Sequence, residues 1–260
     1  MAFDRHGNLF VADWNNHRII NVTTKQIVAG GFGKGGAPNQ LDGPTDVVYD
    51  RITNSFIIAD RGNQRVVRWS NGNSEILIQN IDCWGLALDK DGSLYITDTE
   101  RCEVRCYTKT DRNGFKAIGG NGQGTQLNQL RFPTYILIDD DYSIYVSDSL
   151  NHRVMKWPLE AKQGIVVAGG HGQGHSLRQL SYCQGIAVDR FGDVYVADGY
   201  NHRVVRWTEY ADEGTLVVGG NGKGEQANQL SCPRGLTFGD LGSLYVADGQ
   251  NHRIQKFIIE

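Results

Sequence analysis

The segment Val196-Ala-Asp-Gly-Tyr-Asn-His-Arg-Val204 decides the fold of this chain of 260 residues, because close copies of it recur along the whole length. The copies align on one marker aspartate, which an arginine follows five residues later in all copies but one. The marker aspartates are Asp13, Asp60, Asp98, Asp148, Asp198 and Asp248, at steps of 47, 38, 50, 50 and 50 residues. Repetition at this period is typical of architectures in which each repeat is one supersecondary unit.

Each repeat is expected to contain four short strands joined by tight turns. In the fifth repeat the strands are 185–189, 194–198, 202–207 and 215–219. The stretch Asp189-Arg-Phe-Gly192 between the first two strands has turn composition, because Asp bonds its own backbone and Gly accepts a positive φ. Short strands with turns every 8–12 residues indicate an all-β protein. Four strands in a repeat of 40–50 residues form a propeller blade.

The sequence therefore predicts an all-β, six-bladed β-propeller of four-stranded blades in a single domain. The predicted blades are residues 1–30, 43–79, 83–120, 133–170, 183–220 and 233–260. The last blade lacks an evident fourth strand, and the chain begins inside the first strand of blade one, so we expect a fragment of a longer chain. The alternative is that 257–260 bend back over the open edge. An open edge strand pairs readily with another chain, which predicts a dimer through blade six.

The pattern Val-Ala-Asp-x-x-Asn-His-Arg-Val, preceded by Pro-x-Gly-Ile-Ala-Val-Asp, resembles NHL-repeat β-propellers. The resemblance covers essentially the whole chain, and the Gly-His and Trp-Asp pairs of WD-repeat blades are missing. It implies a six-bladed propeller. In this family a strand from the N-terminus commonly completes the last blade.

Composition excludes several classes of protein. The chain has 33 Gly but only 5 Pro, with 40% hydrophobic and 21% charged residues, so it is neither collagen-like nor disordered. A net charge of −3 provides no bulk attraction to nucleic acid or anionic lipid. The sequence contains no run of 18 apolar residues, so no segment is predicted to insert into a membrane as a helix. The 5 Cys imply no disulfide framework. The compartment stays open between the cytoplasm and, for a domain of a longer protein, the cell exterior.

Residues that recur in every repeat are interpreted as scaffold. The marker aspartate is expected to bind backbone N–H groups in the turn between the second and third strands, with the arginine as a forked partner. The alternative is a ring of catalytic carboxylates. Blade three has Glu103 in place of the arginine, so its turn is expected to be the loosest.

Histidines, tryptophans and glycines also recur at fixed positions. Four histidines raise the question of a metal, but equivalent positions in separate blades cannot converge on one ion, and the pair His171 and His175 is a weak local candidate. The tryptophans lie nine residues after their marker aspartates, and we call them the aromatic stripe; their constant position predicts packing between blades. The Gly-rich segments that follow the fourth strands are interpreted as connections between blades rather than phosphate-binding loops. The repeated residues are His17, His152, His202 and His252, and Trp69, Trp157 and Trp207. We predict no catalytic residue, no metal and no cofactor.

Residues that break the repeat are the candidates for a ligand site at the channel mouth, on the rim formed by the connections between blades and the turns after the marker aspartates. Exposed aromatic residues mixed with arginine are typical of binding hot spots. For Trp84 the alternative is that it fills the space beside the short connection into blade three; as a site residue, its replacement by Ala would weaken binding more than folding. The candidates are Trp14, Thr45, Asp46, Arg61, Trp84, Thr134, Tyr135, Gln184, Tyr200 and Arg234.

These features favour a non-catalytic module, a scaffold or sensor domain, that recognises a protein, peptide or glycan. One alternative is single-stranded RNA binding, as in NHL domains of tripartite-motif proteins, which needs a basic face with stacking aromatics; the rim charges here are mixed. The other is a metal-dependent lyase or hydrolase that uses the central channel, as in some six-bladed relatives. The first strands expected to line that channel supply Asp46 as their one acid and no His.

Overall fold

The computed structural model describes residues 1–239 and 242–259, and within these ranges it has six antiparallel sheets. Five sheets have four strands and the last has three. The prediction of an all-β, six-bladed β-propeller with four-stranded blades and an incomplete last blade is confirmed. The single domain and the fragment stay predictions.

The strands follow one another in each blade as neighbours in the sheet, from the first to the last. Blade one holds β1 (Ala2–Phe3), β2 (Leu9–Asp13), β3 (Arg18–Asn21) and β4 (Ile27–Gly30). Blade two holds β5 (Pro44–Asp50), β6 (Ser55–Asp60), β7 (Arg65–Ser70) and β8 (Asn73–Gln79). Blade three holds β9 (Cys83–Leu88), β10 (Leu94–Asp98), β11 (Glu103–Tyr107) and β12 (Phe115–Gly119).

The later blades repeat this order. Blade four holds β13 (Pro133–Ile138), β14 (Ile144–Asp148), β15 (Arg153–Trp157) and β16 (Ile165–Gly169). Blade five holds β17 (Cys183–Val188), β18 (Val194–Asp198), β19 (Arg203–Trp207) and β20 (Thr215–Gly219). Blade six holds β21 (Pro233–Phe238), β22 (Leu244–Asp248) and β23 (Arg253–Phe257).

Two compact units divide the chain, unit one at residues 1–117 and unit two at 118–260. In unit one the first strands β1, β5 and β9 contact one another in succession, and in unit two β13, β17 and β21 do the same. Hydrophobic cores fill the space between successive blades. Trp69 of blade two packs in one core with Phe10 and Ile19 of blade one, and Trp207 packs with residues of blade four. The aromatic stripe therefore has the predicted packing role.

In blades two, four, five and six the marker aspartate ties the blade to the connection that precedes it. In blade five, Oδ1 of Asp198 accepts a hydrogen bond from the backbone N–H of Ser181 at 2.7 Å, and Oδ2 accepts one from Arg203 Nε at 2.8 Å. The Nη atoms of Arg203 donate to the carbonyls of His175 and Gln179. The expected donor is therefore wrong for blades two, four, five and six, where the aspartate accepts from the connection and the arginine forks over the connection's carbonyls, whereas Asp98 of blade three accepts from a turn N–H as expected.

Blade three keeps a version of this arrangement. Arg101 donates to Asp98 from its backbone N–H at 3.1 Å and from Nη1 at 2.7 Å. Glu103 receives a hydrogen bond from Arg105 Nη1 at 3.0 Å. Asp98 thus has an arginine partner from position 101, and the expectation that this turn is the loosest stays a prediction.

Three of the repeated histidines accept a hydrogen bond on ring atom Nδ1 from a backbone N–H at the start of the next blade. The backbone N–H of Tyr182 donates to Nδ1 of His152 at 3.1 Å, and that of Cys232 donates to Nδ1 of His202 at 3.1 Å. His17 accepts from Gly43 N–H at 3.0 Å in the same way. These bonds give the histidines the predicted structural role.

The last blade has an open edge at β23 in the described residues. Up to residue 259, β23 pairs with β22 and with no further strand. The dimer through this edge stays a prediction, and Glu260 of the alternative edge cover lies outside the described residues.

Among the described residues, every helix is too short or too polar to span a lipid bilayer. All five cysteines are buried free thiols.

Replacing Arg203 by Ala tests the importance of the aspartate–arginine pair. It leaves the fully buried carboxylate of Asp198 without its cation and strips the donors from the connection. We expect a loss of about 3–5 kcal/mol in the free energy of unfolding, measured by urea denaturation.

Arg253→Ala is the matched control in blade six. Arg253 is more exposed, and Gln255 Nε2 also donates to Asp248 at 3.0 Å. We expect a loss of about 1–2 kcal/mol. Equal losses in the two variants would contradict the role assigned to burial of the pair.

Candidate ligand-binding site

The ten predicted site residues differ strongly in exposure. Trp14 is 40% and Tyr200 57% exposed, and Thr45, Arg61, Tyr135 and Arg234 are half-buried. The other four are buried: Asp46, Trp84, Thr134 and Gln184. The expectation of exposure is wrong for these four, because each lies at the start of a first strand that packs against its neighbouring blade.

Three candidates form one cluster in unit one. The Arg61 guanidinium carbon lies 4.6 Å from the ring centroid of Trp84. The Trp14 ring meets the Trp84 ring edge-on, with 6.4 Å between centroids. We call Trp14, Arg61 and Trp84 the tryptophan cluster. Trp84 is its buried base and Trp14 its exposed member, so the structure favours the alternative in which Trp84 fills space.

The charge of Arg61 is compensated inside the protein. Its Nε and Nη2 donate to the two carboxylate oxygens of Asp82 at 2.7 and 3.2 Å, and the Thr99 hydroxyl donates to the same carboxylate. Burial pushes the pKa of Asp82 upwards, but the hydrogen bonds from Arg61 and Thr99 outweigh it and hold that pKa below its usual value. The tryptophan cluster therefore presents an aromatic edge without a net charge from this ion pair.

Asp46 and Thr45 bind backbone groups rather than facing solvent. Asp46 accepts hydrogen bonds from the Leu86 N–H at 3.1 Å and from the α-amino group of Met1 at 3.0 Å. The Thr45 hydroxyl donates to the Trp84 carbonyl at 2.7 Å. These contacts join β5 to β9 and explain the burial of Asp46.

Thr134 and Gln184 belong to a buried hydroxyl network in unit two. The Thr134 hydroxyl lies 2.6 Å from that of Ser149, which donates to the Cys183 carbonyl at 2.6 Å. The Gln184 carbonyl accepts a hydrogen bond from the Ser147 hydroxyl. The network fastens blade four to β17, so both candidates are occupied structurally.

Tyr200 belongs to a group of aromatic residues that come from separate parts of the sequence. Its ring stacks on that of Tyr182 with 4.9 Å between centroids and 14° between planes, and the Phe132 ring lies 6.3 Å from Tyr182 on the other side. We call these three residues the tyrosine stack. Phe132 and Tyr182 are half-buried, so the stack is anchored at one end and open to solvent at Tyr200.

The backbone explains how the stack is positioned. Phe132 and Tyr182 directly precede the first strands β13 and β17 and have φ values of 55° and 57°. At the equivalent position unit one has Gly43, for which a positive φ is easy. Aromatic residues at a left-handed position just before a first strand were the available sequence signal for this group.

Two exposed cationic side chains of unit two lie near the structural histidines. Arg131 precedes Phe132 in the chain, and both it and Lys223 are exposed and form no ion pair among the described residues. Burial, and then the positive charge of Arg131, lower the pKa of His152. Burial and Lys223 lower the pKa of His202 in the same way. This part of unit two is therefore basic, unlike the compensated tryptophan cluster.

The described residues offer no geometry that suits a metal ion. Within 1–239 and 242–259, no group of three or more His, Cys, Asp or Glu side chains is placed to hold a metal ion. His171 and His175, the weak local candidate, belong to no such group.

Comparison with known proteins places these features in context. The NHL repeat family matches residues 81–107, 180–207 and 230–257. No curated protein matches the chain in sequence. Among solved structures, an auxiliary nutrient binding protein from Bacteroides ovatus is similar with a TM-score of 0.72 and 16% identity, over 99% of this chain and 68% of that one.

Two enzymes share the fold at a similar distance. A gluconolactonase from Xanthomonas campestris has a TM-score of 0.62 and 14% identity, over 83% of this chain and 75% of its own. Virginiamycin B lyase from Staphylococcus aureus has a TM-score of 0.62 and 12% identity, over 99% of this chain and 83% of its own. Likeness at this identity shows the fold alone.

Replacing Trp84 by Ala tests its buried position. Removing a large ring that is 5% exposed leaves a cavity, so we expect a loss of about 3–5 kcal/mol in the free energy of unfolding. Trp14→Ala, which removes the exposed ring of the same cluster, should cost about 1 kcal/mol. Thermal and urea denaturation measure both. If the Trp84 variant is as stable as the Trp14 variant, Trp84 is not a packing residue, and the expectation from the sequence that its replacement weakens binding more than folding holds.

Proposed function

Because the chain is an NHL-repeat β-propeller, we propose that it is a non-catalytic binding module whose ligand docks on the tyrosine stack. The ligand is a glycan, a peptide or a segment of a partner protein, which offers a flat apolar face to the rings. The similarity to nutrient-binding propellers supports a binding role, whereas the two enzymes of the same fold mean that fold alone does not decide function.

The observation that carries the proposal is the parallel stacking of Tyr182 and Tyr200 at the surface. A tyrosine that is 57% exposed gains little from the core, yet its ring is held within 4.9 Å of its neighbour. Rigid aromatic rings supply large contact areas at low cost in conformational entropy, and their hydroxyl groups bind polar partners. Such preorganised rings are typical anchors of binding surfaces.

The residues below the stack support its rigidity. Tyr182 is fixed by its backbone bond to His152, and the Tyr200 N–H donates to the Ser181 carbonyl at 3.1 Å. Ser181 in turn donates to Asp198. The scaffold of the repeat thus holds both tyrosines, while their side chains are free to differ from blade to blade.

A specific observation favours single-stranded RNA as a second candidate ligand. Arg131, the chain neighbour of Phe132, adds positive charge beside the stack. Bases stack on aromatic rings in many single-strand-binding proteins. This arrangement differs from the mixed charges expected over the whole rim. Salt separates the two candidates, because phosphate binding weakens steeply as salt rises and stacking on a neutral ligand does not.

The test uses the purified chain on arrays of glycans and proline-containing peptides, and with single-stranded RNA in solution. For the ligand that binds, Tyr200→Ala should weaken affinity by about tenfold or more through loss of the outer ring. Because Tyr200 is exposed, its replacement should leave the melting temperature nearly unchanged.

The matched control is Gln250→Ala, the equivalent position in blade six, whose N–H bonds the Ser231 carbonyl as Tyr200 bonds Ser181. Affinity should be unaffected there. If Tyr200→Ala binds as tightly as the control variant, the tyrosine stack is not the ligand site.

A further inference from the structure

A separate cavity of about 520 Å³ lies in unit one, between blades one and two. It opens beside the β1–β2, β5–β6 and β7–β8 turns, at the strand ends opposite the marker aspartates. Its aromatic wall consists of Phe10, Tyr49, Phe56 and Trp69, with Arg5 and His6 among the other lining residues. The volume lies within the range of small-molecule pockets.

A short turn creates this cavity. In blades four and five a long β-hairpin connection covers the stripe tryptophan: a Cβ on Gly164 would lie 2.7 Å from the Trp157 ring, and one on Gly214 would lie 2.8 Å from the Trp207 ring. In blade two, β7 and β8 are joined by Asn71-Gly72 alone, with φ values of 50° and 79°. This two-residue turn suits a hairpin and leaves Trp69 without the cover, so Trp69 lines the cavity.

The aromatic wall of the cavity consists of rings in mutual contact. Phe10 and Phe56 have centroids 4.5 Å apart and Tyr49 and Phe56 have centroids 5.4 Å apart, so the aromatic surface is continuous. The Trp69 indole N–H is buried and has no hydrogen-bond partner among the described residues. Because the N–H is inaccessible from the cavity, the ring of Trp69 contributes apolar surface to the wall and not a donor.

The charges at the mouth favour an anion. Arg5 is exposed, donates from Nε to His6 Nε2 at 3.1 Å, and pairs with no carboxylate in the described ranges. Asp4, the acid beside it, is occupied by the Asn8 side chain at 2.9 Å and by the His6 N–H at 2.8 Å. The guanidinium is thus available to a ligand, and the neighbouring carboxylate is already saturated.

We propose that this cavity binds a small planar aromatic carboxylate. The ring packs against the aromatic residues that line the cavity, Phe10, Phe56 and Trp69, and the carboxylate faces Arg5. The site is independent of the tyrosine stack, because it is in unit one and at the other ends of the strands.

The probe is hydroxynaphthoate, with its neutral amide as the matched ligand, titrated into the whole chain by isothermal calorimetry. We expect one hydroxynaphthoate per chain and about tenfold weaker binding of the amide. Arg5→Gln should weaken hydroxynaphthoate by about tenfold and remove its advantage over the amide. Gln26→Trp, which places a ring at the exposed mouth of the cavity, should reduce the binding of both probes.

Arg190→Gln is the control, since Asp189-Arg-Phe-Gly192 repeats the Asp4-Arg-His-Gly7 turn in blade five, where the stripe tryptophan is covered. It should bind hydroxynaphthoate as the unchanged chain does. Absence of binding, or binding that Arg5→Gln and Gln26→Trp leave unaltered, overturns the proposal. Both variants alter exposed side chains, and thermal melting verifies that they remain folded.

Discussion

The buried ion pair between the marker aspartate and its arginine is the interaction on which blades two, four and five depend. In blade five the pair is nine-tenths or more buried on both sides, so each charge requires the other and its remaining hydrogen-bond partners. Burial raises the pKa of Asp198 in spite of the bonds it accepts. Because the same pair also binds the carbonyls and N–H groups of the preceding connection, it joins the end of one blade to the beginning of the next. A long connection without regular structure is therefore held as firmly as a strand.

This constraint explains why the unrepeated residues fall into two classes. A residue at the start of a first strand, such as Asp46 or Gln184, lies between neighbouring blades and is buried there. A residue directly after the marker aspartate, such as Trp14 or Tyr200, lies on a short helical turn and extends outwards. Trp14 and Tyr200 are therefore available to a ligand without disturbing the packing, whereas Ser149, directly after the marker aspartate of blade four, is buried. The two classes are equally variable in sequence, so variation alone does not distinguish them.

The two proposed sites share a physical origin. Each arises where one blade departs from the repeat at a position the scaffold does not constrain: Phe132 and Tyr182 replace a small residue beside a histidine, and Asn71-Gly72 replaces a long covering connection. In both places aromatic surface stays accessible while the backbone is fixed by the repeated contacts. A propeller can in this way carry different ligand sites on one framework.

The sequence by itself determined the architecture, since the six marker aspartates and the alternation of short strands and turns are local and repeat with the blade. It also identified the scaffold roles of the histidines and of the tryptophan stripe, because these residues return at the same position in several blades. The tertiary structure decided which departures from the repeat are exposed. Trp84 is buried under Arg61 and Trp14, and Tyr200 meets Tyr182 from a different connection; both facts depend on contacts between residues far apart in the chain, which no local pattern records. The same holds for the cavity over Trp69, because an empty space is defined by the neighbours that fail to fill it.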